Sequence, residues 1–161
     1  MNADTRTDPS TSEQMTRVGP GTVMGELMRQ YWIPAVGSKE VIADGDPRRI
    51  VLLGEKLIAF RDSAGKVGIM DHRCPHRVAS LFFGRNEEGG IRCVYHGWKF
   101  DADGNCVDMP SVPAHQEFKD KVHAKAYKTA ENFAGAIEDK AKQTQALASA
   151  LRARGRHVQA V

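Results

Sequence analysis

The runs Cys74-Pro75-His76 and Cys93-Val94-Tyr95-His96 decide the fold of this chain, and sixteen residues separate them. Each run joins one Cys to one His across a short spacer. Thiolates and imidazoles are the side chains that soft and borderline metal ions prefer. The spacing therefore predicts two separate loops, each of which contributes one thiolate and one imidazole to a metal centre.

The mixing of unlike ligands within each pair distinguishes between metal centres. Two thiolates can hold one iron and two imidazoles the other, which is the ligand set of a Rieske 2Fe-2S centre. A Cys2His2 zinc finger would instead pair Cys with Cys and His with His. We interpret the four residues as the ligands of one 2Fe-2S cluster, with a zinc site as the alternative. They are Cys74, His76, Cys93 and His96.

Two stretches resemble the cluster-binding loops of Rieske non-haem iron oxygenases: residues 72–77 (His-Arg-Cys-Pro-His-Arg) and residues 93–101 (Cys-Val-Tyr-His-Gly-Trp-Lys-Phe-Asp). The resemblance runs from about Arg17 to Tyr127 and is closest to the N-terminal half of the phthalate-dioxygenase-like branch of aromatic-ring-hydroxylating oxygenases. Respiratory and photosynthetic Rieske proteins carry an extra Cys after each ligand pair. This chain has none there, which favours the oxygenase branch.

The resemblance implies a mainly β, antiparallel Rieske-type domain with two cluster-binding loops. It also implies one 2Fe-2S cluster per chain, with the two thiolates on the inner iron and the two imidazoles on the outer iron. The implied electron donor is a flavin- or ferredoxin-type reductase. The implied acceptor is a chain that carries the catalytic domain, or intact oxygenase subunits, and a homo-oligomer is a further implied assembly.

The composition divides the chain into three parts. Residues 1–14 hold almost no large apolar side chain, so we expect a disordered leader. Residues 15–128 are predicted to form the Rieske domain with a short helix at its start. Residues 129–161 are rich in Ala, Glu, Lys, Gln and Arg, with apolar side chains about one turn apart, which predicts a divergent helical tail.

A short amphipathic helix is predicted after Thr22, which is a favourable N-cap residue, and Pro34 ends the pattern. The apolar residues at helical spacing are Met24, Leu27, Met28, Tyr31 and Trp32. We expect this stripe of Met and aromatic side chains to pack against the body of the domain or against a neighbouring subunit.

Three short apolar runs separated by turn residues predict an antiparallel meander. They cover residues 50–53, 57–60 and 67–70 and are rich in Ile, Val and Leu, which favours strands over helices. The metal loops are expected at the ends of later strands, with residues 81–83 leading into a loop at 86–90. Asp103-Gly104 predicts a tight turn because Gly accepts positive φ.

Residues near the ligands have predicted structural roles. Gly97 is expected to let the backbone turn close beneath the cluster, while Tyr95 and Trp98 shield it from water. Val78 stands where related oxygenases often carry Gly, a departure that bears on the path of the loop and not on its ligands. Cys106 is expected to be a buried, unreactive thiol rather than a fifth ligand.

The tail is where the resemblance ends. In the oxygenases that this chain resembles, the part after the Rieske domain holds a mononuclear iron on two His and one carboxylate. After His123 the only histidine is His157, so we expect neither mononuclear Fe(II) nor a catalytic residue on this chain. The tail is then a docking helix or the product of a truncation or an altered reading frame. Four histidines are expected to be structural or at the surface: His72, His115, His123 and His157.

Charge and hydropathy bear on the remaining classes of function. The formal net charge is +3, and the basic residues are spread along the chain, which argues against a nucleic-acid partner. No run of about eighteen apolar residues occurs, and residues 1–14 lack the pattern of a signal peptide. We therefore expect a cytoplasmic protein without a membrane partner, and the odd Cys106 agrees because it does not suggest a disulfide framework.

The leading hypothesis is the electron-transfer domain of a ring-hydroxylating oxygenase that acts in the catabolism of aromatic acids. It would relay electrons from a reductase to a mononuclear iron site that this chain lacks, so we expect the chain alone to transfer electrons without hydroxylating a substrate. One alternative is a free-standing Rieske ferredoxin. The other is a zinc-stabilised module without catalysis.

Overall fold

A meander of three strands forms most of the first sheet. In the computed structural model, which describes residues 11–131, the strands are β1 (Arg48–Leu52), β2 (Glu55–Arg61) and β3 (Val67–Asp71), paired antiparallel in sequence order. The turn Leu53-Gly54 joins β1 to β2, and both of its residues have positive φ. Two positive φ values give the tight turn whose twist matches antiparallel strands. The predicted meander is confirmed.

The second sheet consists of short strands and carries the second metal loop. Its strands are β4 (Arg85–Glu87), β5 (Gly90–Arg92), β6 (Lys99–Phe100) and β7 (Cys106–Asp108), which pair in that order. A last strand, β8 (Ala126–Tyr127), returns to the first sheet and pairs antiparallel with β3. The described residues thus form two sheets of four strands, which confirms the mainly β, antiparallel fold.

Two apolar layers lie on opposite faces of β2, because successive residues of a strand point to opposite sides. One layer contains Ile58 and Phe60, and Leu57 and Ala59 belong to the other. The first layer also includes the buried residues Met70, Cys74, Leu81, Ile91, Cys93 and Phe100. Both thiols therefore lie within the larger apolar core of the described residues.

Residues 81–90 differ from the prediction. Leu81–Phe83 is a single 3-10 turn, and the predicted loop at 86–90 is the hairpin that joins β4 to β5. Three apolar residues are too few for their periodicity to distinguish a turn from a strand. The predicted turn at Asp103-Gly104 is confirmed, since Gly104 has a φ of 87° and its N–H donates to the carbonyl of Asp101 at 3.0 Å.

Two short helices precede the sheets. The first, α1 (Thr11–Thr16), overlaps the predicted leader, so residues 11–14 are helical rather than irregular, and residues 1–10 lie outside the described part. The second, α2 (Val23–Met28), begins as predicted: the side chain of Thr22 accepts a hydrogen bond from the N–H of Gly25 at 3.2 Å.

The end of α2 corrects the prediction of a helix that reaches Trp32. The helix ends at Met28 and buries only Gly25, while Tyr31 and Trp32 are exposed, so these aromatic side chains do not pack against the body of the domain. Packing of the stripe against a neighbouring subunit stays a prediction. Arg29 follows the helix and donates to the carbonyls of Val18 and Leu53 and to the carboxylate of Glu55. The backbone then tightens, since the N–H groups of Gln30 and Tyr31 donate to the carbonyls of Leu27 and Met28, three residues earlier, both at 3.1 Å.

The remaining regular structure consists of short 3-10 turns at Ser38–Glu40, Ala114–Gln116 and Lys119–Lys121. Between residues 11 and 131 no helix combines the length and the apolar character needed to cross a bilayer. The predicted helical tail lies outside the described residues, except for its first three positions.

Candidate metal centre

The two ligand runs fold into loops with the same hydrogen-bond pattern. In the first loop the N–H of Cys74 donates to the carbonyl five residues further on, at 2.8 Å, and its carbonyl accepts from the N–H of Val78 at 2.9 Å. In the second loop Cys93 makes the corresponding bonds at 2.9 Å and, with Gly97, at 3.1 Å. The two loops therefore share the same backbone hydrogen bonds around the Cys, although the His follows it after one residue in the first loop and after two in the second.

The fourth residue after each Cys has a left-handed backbone conformation. Gly97 has a φ of 76°, and a Cβ there would lie 2.7 Å from Cγ of Pro110, so this position favours Gly in two ways. Val78 occupies the matching position with a φ of 52°. A β-branched residue is strained in this region, whereas Gly is not. The backbone of the first loop thus has the same left-handed conformation at Val78 that the second loop has at Gly97, and Val78 is strained there.

Cys74 and Cys93 meet in the core, where their side chains are only 2% and 3% exposed and lie within hydrogen-bonding reach of each other. Burial raises the pKa of Cys74 to about 11, and the neighbouring thiol adds to this effect. Backbone N–H groups of His76 and Arg77 oppose it by donating hydrogen bonds to the sulfur. These two donors would stabilise the thiolate form, which is the form that binds a metal.

His76 and His96 form the second pair, with their ring centroids 4.7 Å apart. Burial lowers the pKa of His76, and the charges of His96 and Arg77 lower it further, which favours the neutral imidazole that ligates metals. Nδ1 of His96 is buried and has no hydrogen-bond partner. Leaving such a nitrogen unpaired costs free energy, and a metal ion at this position would remove that cost.

The pairing of the four side chains separates the two metal hypotheses. A tetrahedral zinc site gathers its ligands around one ion. Within residues 11–131, however, no group of three His, Cys, Asp or Glu side chains is placed to hold one ion. Two irons with two protein ligands each need only a pair of thiolates and a pair of imidazoles. The residues present therefore fit a 2Fe-2S cluster better than a zinc ion.

Two aromatic side chains, Trp98 and Phe118, pack beside His76. Trp98 is only 5% exposed and stacks on the His76 ring at a centroid distance of 4.2 Å and an interplanar angle of 8°. Its Nε1 donates to Oγ of Ser111 at 3.2 Å, and the ring of Phe118 packs edge-on against it at 5.8 Å. Trp98 thus lies where a shielding role was predicted for it.

The sequence pattern does not single out Ser111 and Phe118 as neighbours of the centre. They belong to a stretch between β7 and β8 that has no apolar periodicity, and their contacts with Trp98 depend on the folded chain. The prolines Pro110 and Pro113 are the one local indication that this stretch has a restricted backbone.

Arg92 is a second residue that sequence reasoning misses. Its guanidinium donates to the carbonyl of Gly97 at 2.7 Å, to the carboxylate of Asp108 at 2.7 Å and to that of Glu87 at 2.8 Å. Arg92 therefore joins the second loop to β4 and β7. Its position directly before Cys93 is the only sequence feature that could have drawn attention to it.

The other predicted residues have different surroundings. Tyr95 is 58% exposed and packs on His96 at 3.9 Å, so it covers that ring without being buried itself. Cys106 is a buried free thiol, and burial raises its pKa, in agreement with the prediction of an unreactive thiol. His115 and His123 are exposed, His72 is half-buried, and His157 lies outside the described residues.

Comparison with known proteins identifies similar sequences. The profile of the Rieske [2Fe-2S] domain matches residues 31–129. The 3-chlorobenzoate-3,4-dioxygenase oxygenase subunit of Comamonas testosteroni is 60% identical over 126 residues, which are 78% of this chain and 29% of that protein. The phthalate 4,5-dioxygenase oxygenase subunit of Pseudomonas putida is 49% identical over 124 residues, with 76% and 28% covered. The chain thus spans less than a third of the length of these two relatives.

Solved structures share the same fold. The crystal structure of dicamba monooxygenase with non-heme iron and dicamba superposes on this chain with a TM-score of 0.56 at 27% sequence identity. The aligned part is 63% of this chain and 30% of the monooxygenase chain. A structure of NdmA from Pseudomonas putida CBB5 superposes with a TM-score of 0.58 at 27% identity, with 67% and 33% covered.

Proposed function

Because the chain belongs to the Rieske [2Fe-2S] domain family, we propose that it is the electron-transfer domain of an oxygenase for aromatic acids. The proposed cluster ligands are Cys74, His76, Cys93 and His96. The observation that carries this assignment is the sorting of the four side chains into a buried pair of thiols and a separate pair of imidazoles.

The residues of the chain define which side of the centre is closed and which is open. The thiols lie in the core, so the iron that they hold is shielded from solvent. His76 and His96 are half-buried, and Val78 and Val94 in the same two loops are exposed, so this side of the loops is open to solvent. When bound, the cluster supplies storage for one electron at a potential that imidazole ligation raises. We infer that electrons enter and leave on the histidine side.

The partners follow from the same proposal. A flavin- or ferredoxin-type reductase delivers electrons one at a time, and a mononuclear iron site on another domain or chain receives them. Two of the relatives are oxygenase subunits of dioxygenases named for 3-chlorobenzoate and phthalate. Their names support an aromatic carboxylic acid as the substrate class of the complete oxygenase to which this domain belongs.

Replacement of single cysteines tests the ligand assignment. We expect the purified chain to contain two irons and two acid-labile sulfides and to absorb visible light. Cys93→Ala should abolish this absorbance, because the inner iron loses one of its two thiolates. Cys106→Ala, which removes the other buried thiol near the second sheet, should leave it intact. Stoichiometric zinc in colourless protein, or a retained cluster in Cys93→Ala, would refute the assignment.

Reconstitution tests the electron-transfer role. With a flavin reductase and NADH, the cluster-loaded chain should be reduced and then reoxidised in air, without forming a hydroxylated aromatic acid. Adding a chain that carries the mononuclear iron should produce hydroxylated benzoate or phthalate. Product formed by this polypeptide alone, with peroxide and adventitious iron removed, would contradict the proposal, as would a cluster that the reductase fails to reduce.

A further inference from the structure

His76 lacks the hydrogen bond that usually orients a metal-binding histidine. Such a histidine commonly donates its second ring N–H to a carboxylate, a carbonyl or a water, and that bond fixes the plane of the ring. Within residues 11–131 the ring of His76 forms no hydrogen bond, so the protein does not restrain it in this way. Its plane is instead set by the rings that it touches, which are those of His96 and Trp98.

Trp98 makes the flatter of these two ring contacts. The ring of His96 meets that of His76 at an angle of 64°, with the centroids 4.7 Å apart. The indole of Trp98 lies almost parallel to the imidazole, at an interplanar angle of 8° and a centroid distance of 4.2 Å. At this distance a tilt of the imidazole would drive one of its edges into the indole. The face of Trp98 therefore defines the plane of the His76 ring.

Ser111 in turn fixes the indole. Its Oγ accepts a hydrogen bond from Nε1 of Trp98 at 3.2 Å. Ser111 lies in a turn in which the N–H of Val112 donates to the carbonyl of Met109 at 3.0 Å. The buried Met109 and the partly buried Val112 join this turn to the apolar core that contains Trp98. Because an indole has only one N–H, its bond to Ser111 favours a single orientation of the ring.

We propose that Trp98, held by Ser111, is a positioning residue for His76 and makes the cluster harder to reduce. This inference deepens the proposed function and rests on its ligand assignment. The indole leaves no room for water on one face of His76, and it turns the negative face of its π-system toward the imidazole. Reduction adds one negative charge, which a dry and a negative neighbour both disfavour. Trp98 should therefore lower the reduction potential.

Equilibration of the cluster-loaded chain with a redox dye measures this effect without any reductase. At a fixed potential, the ratio of reduced to oxidised cluster should rise roughly two- to tenfold in Trp98→Leu, the range expected for loss of one aromatic contact. Ser111→Ala should raise the ratio by a smaller factor, because the indole remains but is free to tilt. Ser111→Thr keeps the hydroxyl and should behave like the wild type.

Ser63→Ala is the matched control for Ser111→Ala. The hydroxyl of Ser63 lies in the hairpin between β2 and β3, where it donates to the carboxylate of Asp44 and accepts from the N–H of Gly89. Its loss removes an exposed hydroxyl and two hydrogen bonds without touching Trp98. The ratio of reduced to oxidised cluster should stay at the wild-type value.

Pulsed electron paramagnetic resonance of the reduced cluster, with histidine labelled with nitrogen-15, tests the positioning role separately. It reads the couplings of the two ligand rings one by one. In Ser111→Ala one coupling should shift or broaden, because among the described rings the indole stacks on His76 and not on His96. The other coupling should match the wild type. A general loosening of the centre would alter both couplings alike.

Several outcomes would overturn the inference. An unchanged or lower ratio in Trp98→Leu would refute the effect on the potential. Unchanged couplings in Ser111→Ala, or equal changes in both, would refute the positioning role. If Trp98→Leu loses its cluster, Ser111→Ala and Ser111→Thr decide the question alone, since they alter one exposed residue. If the expected shifts occur although a reductase fails to reduce the wild type, only the proposed electron-transfer function fails.

Discussion

Val78 is the residue at which the first metal loop departs from the second. It has a φ of 52° in the position where the second loop has Gly97, and its side chain is 70% exposed. The backbone hydrogen bonds of the two loops match nevertheless. The loop therefore contains a strained β-branched residue at positive φ. Because its side chain is mostly exposed, the apolar area that it buries does little to offset this strain.

Val78→Gly should stabilise the protein. Relief of the strain outweighs the greater freedom that Gly gives the unfolded chain, so we expect a gain of roughly 0.5–1 kcal/mol. The cluster absorbance in urea should then decay up to about fivefold more slowly. Val94→Gly, the same change at an exposed position of the second loop without positive φ, should speed the decay. A faster decay for Val78→Gly would show that Val78 is not strained.

At the scale of elements, the second loop is held by the strands around it. Arg92 ends β5 and reaches the carbonyl of Gly97 within the loop, Glu87 on β4 and Asp108 on β7. Its side chain is largely buried, so these charged hydrogen bonds are only weakly screened by solvent. The loop that carries Cys93 and His96 is thereby joined to three of the four strands in its sheet.

Arg92→Gln should destabilise the fold by roughly 2–3 kcal/mol, because it leaves two carboxylates and one carbonyl without their donor. Purified variant should also contain less cluster. Arg85→Gln is the matched control: Arg85 also pairs with Glu87, but its side chain is exposed, and its loss should change stability by less than about 0.5 kcal/mol. The free energy of unfolding in urea, together with the iron content, measures both effects. Equal losses for the two variants would mean that Arg92 has no special role.

At the scale of the whole described chain, Glu55 joins segments that are far apart in sequence. Its carboxylate accepts hydrogen bonds from Arg29 after α2, from Lys125, and from the hydroxyl of Tyr127 on β8 at 2.6 Å. Burial opposes ionisation of Glu55, but these donors outweigh it and lower its pKa to about 2. The carboxylate thus ties the N-terminal segment and the last strand to the hairpin of β1 and β2.

Glu55→Gln should lower the free energy of unfolding by roughly 2 kcal/mol near neutral pH. The lowered pKa means that the ionised carboxylate stabilises the fold fully above the ordinary pKa of 4.5, and that this stabilisation fades as the pH falls toward about 2. The difference between wild type and variant, measured by urea unfolding, should shrink over the same range. Glu40→Gln, at an exposed position, should show no such difference. A difference independent of pH would contradict the ionised network.

The local features of this protein could be predicted from the sequence because they depend on residues close together in the chain. The mixed Cys and His pairs, the N-cap at Thr22 and the meander that begins near Arg48 all rest on spacing, backbone preference or alternation over a few positions. The four proposed ligands could be named for the same reason. Each short run contains one Cys and one His, which together are half of the proposed ligand set.

Only the tertiary structure decided how these pieces are held. The hydrogen bonds of Trp98, Arg92 and Glu55 join groups that are separated in sequence by 5 to 72 residues. Such contacts leave no periodic pattern in the chain. The helix after Thr22 illustrates the reason. Its apolar spacing continues to Trp32, yet the α-helix ends at Met28. Tyr31 and Trp32 are exposed, so a longer helix would bury neither of them, and a sequence pattern does not show whether the folded chain offers a surface to bury it.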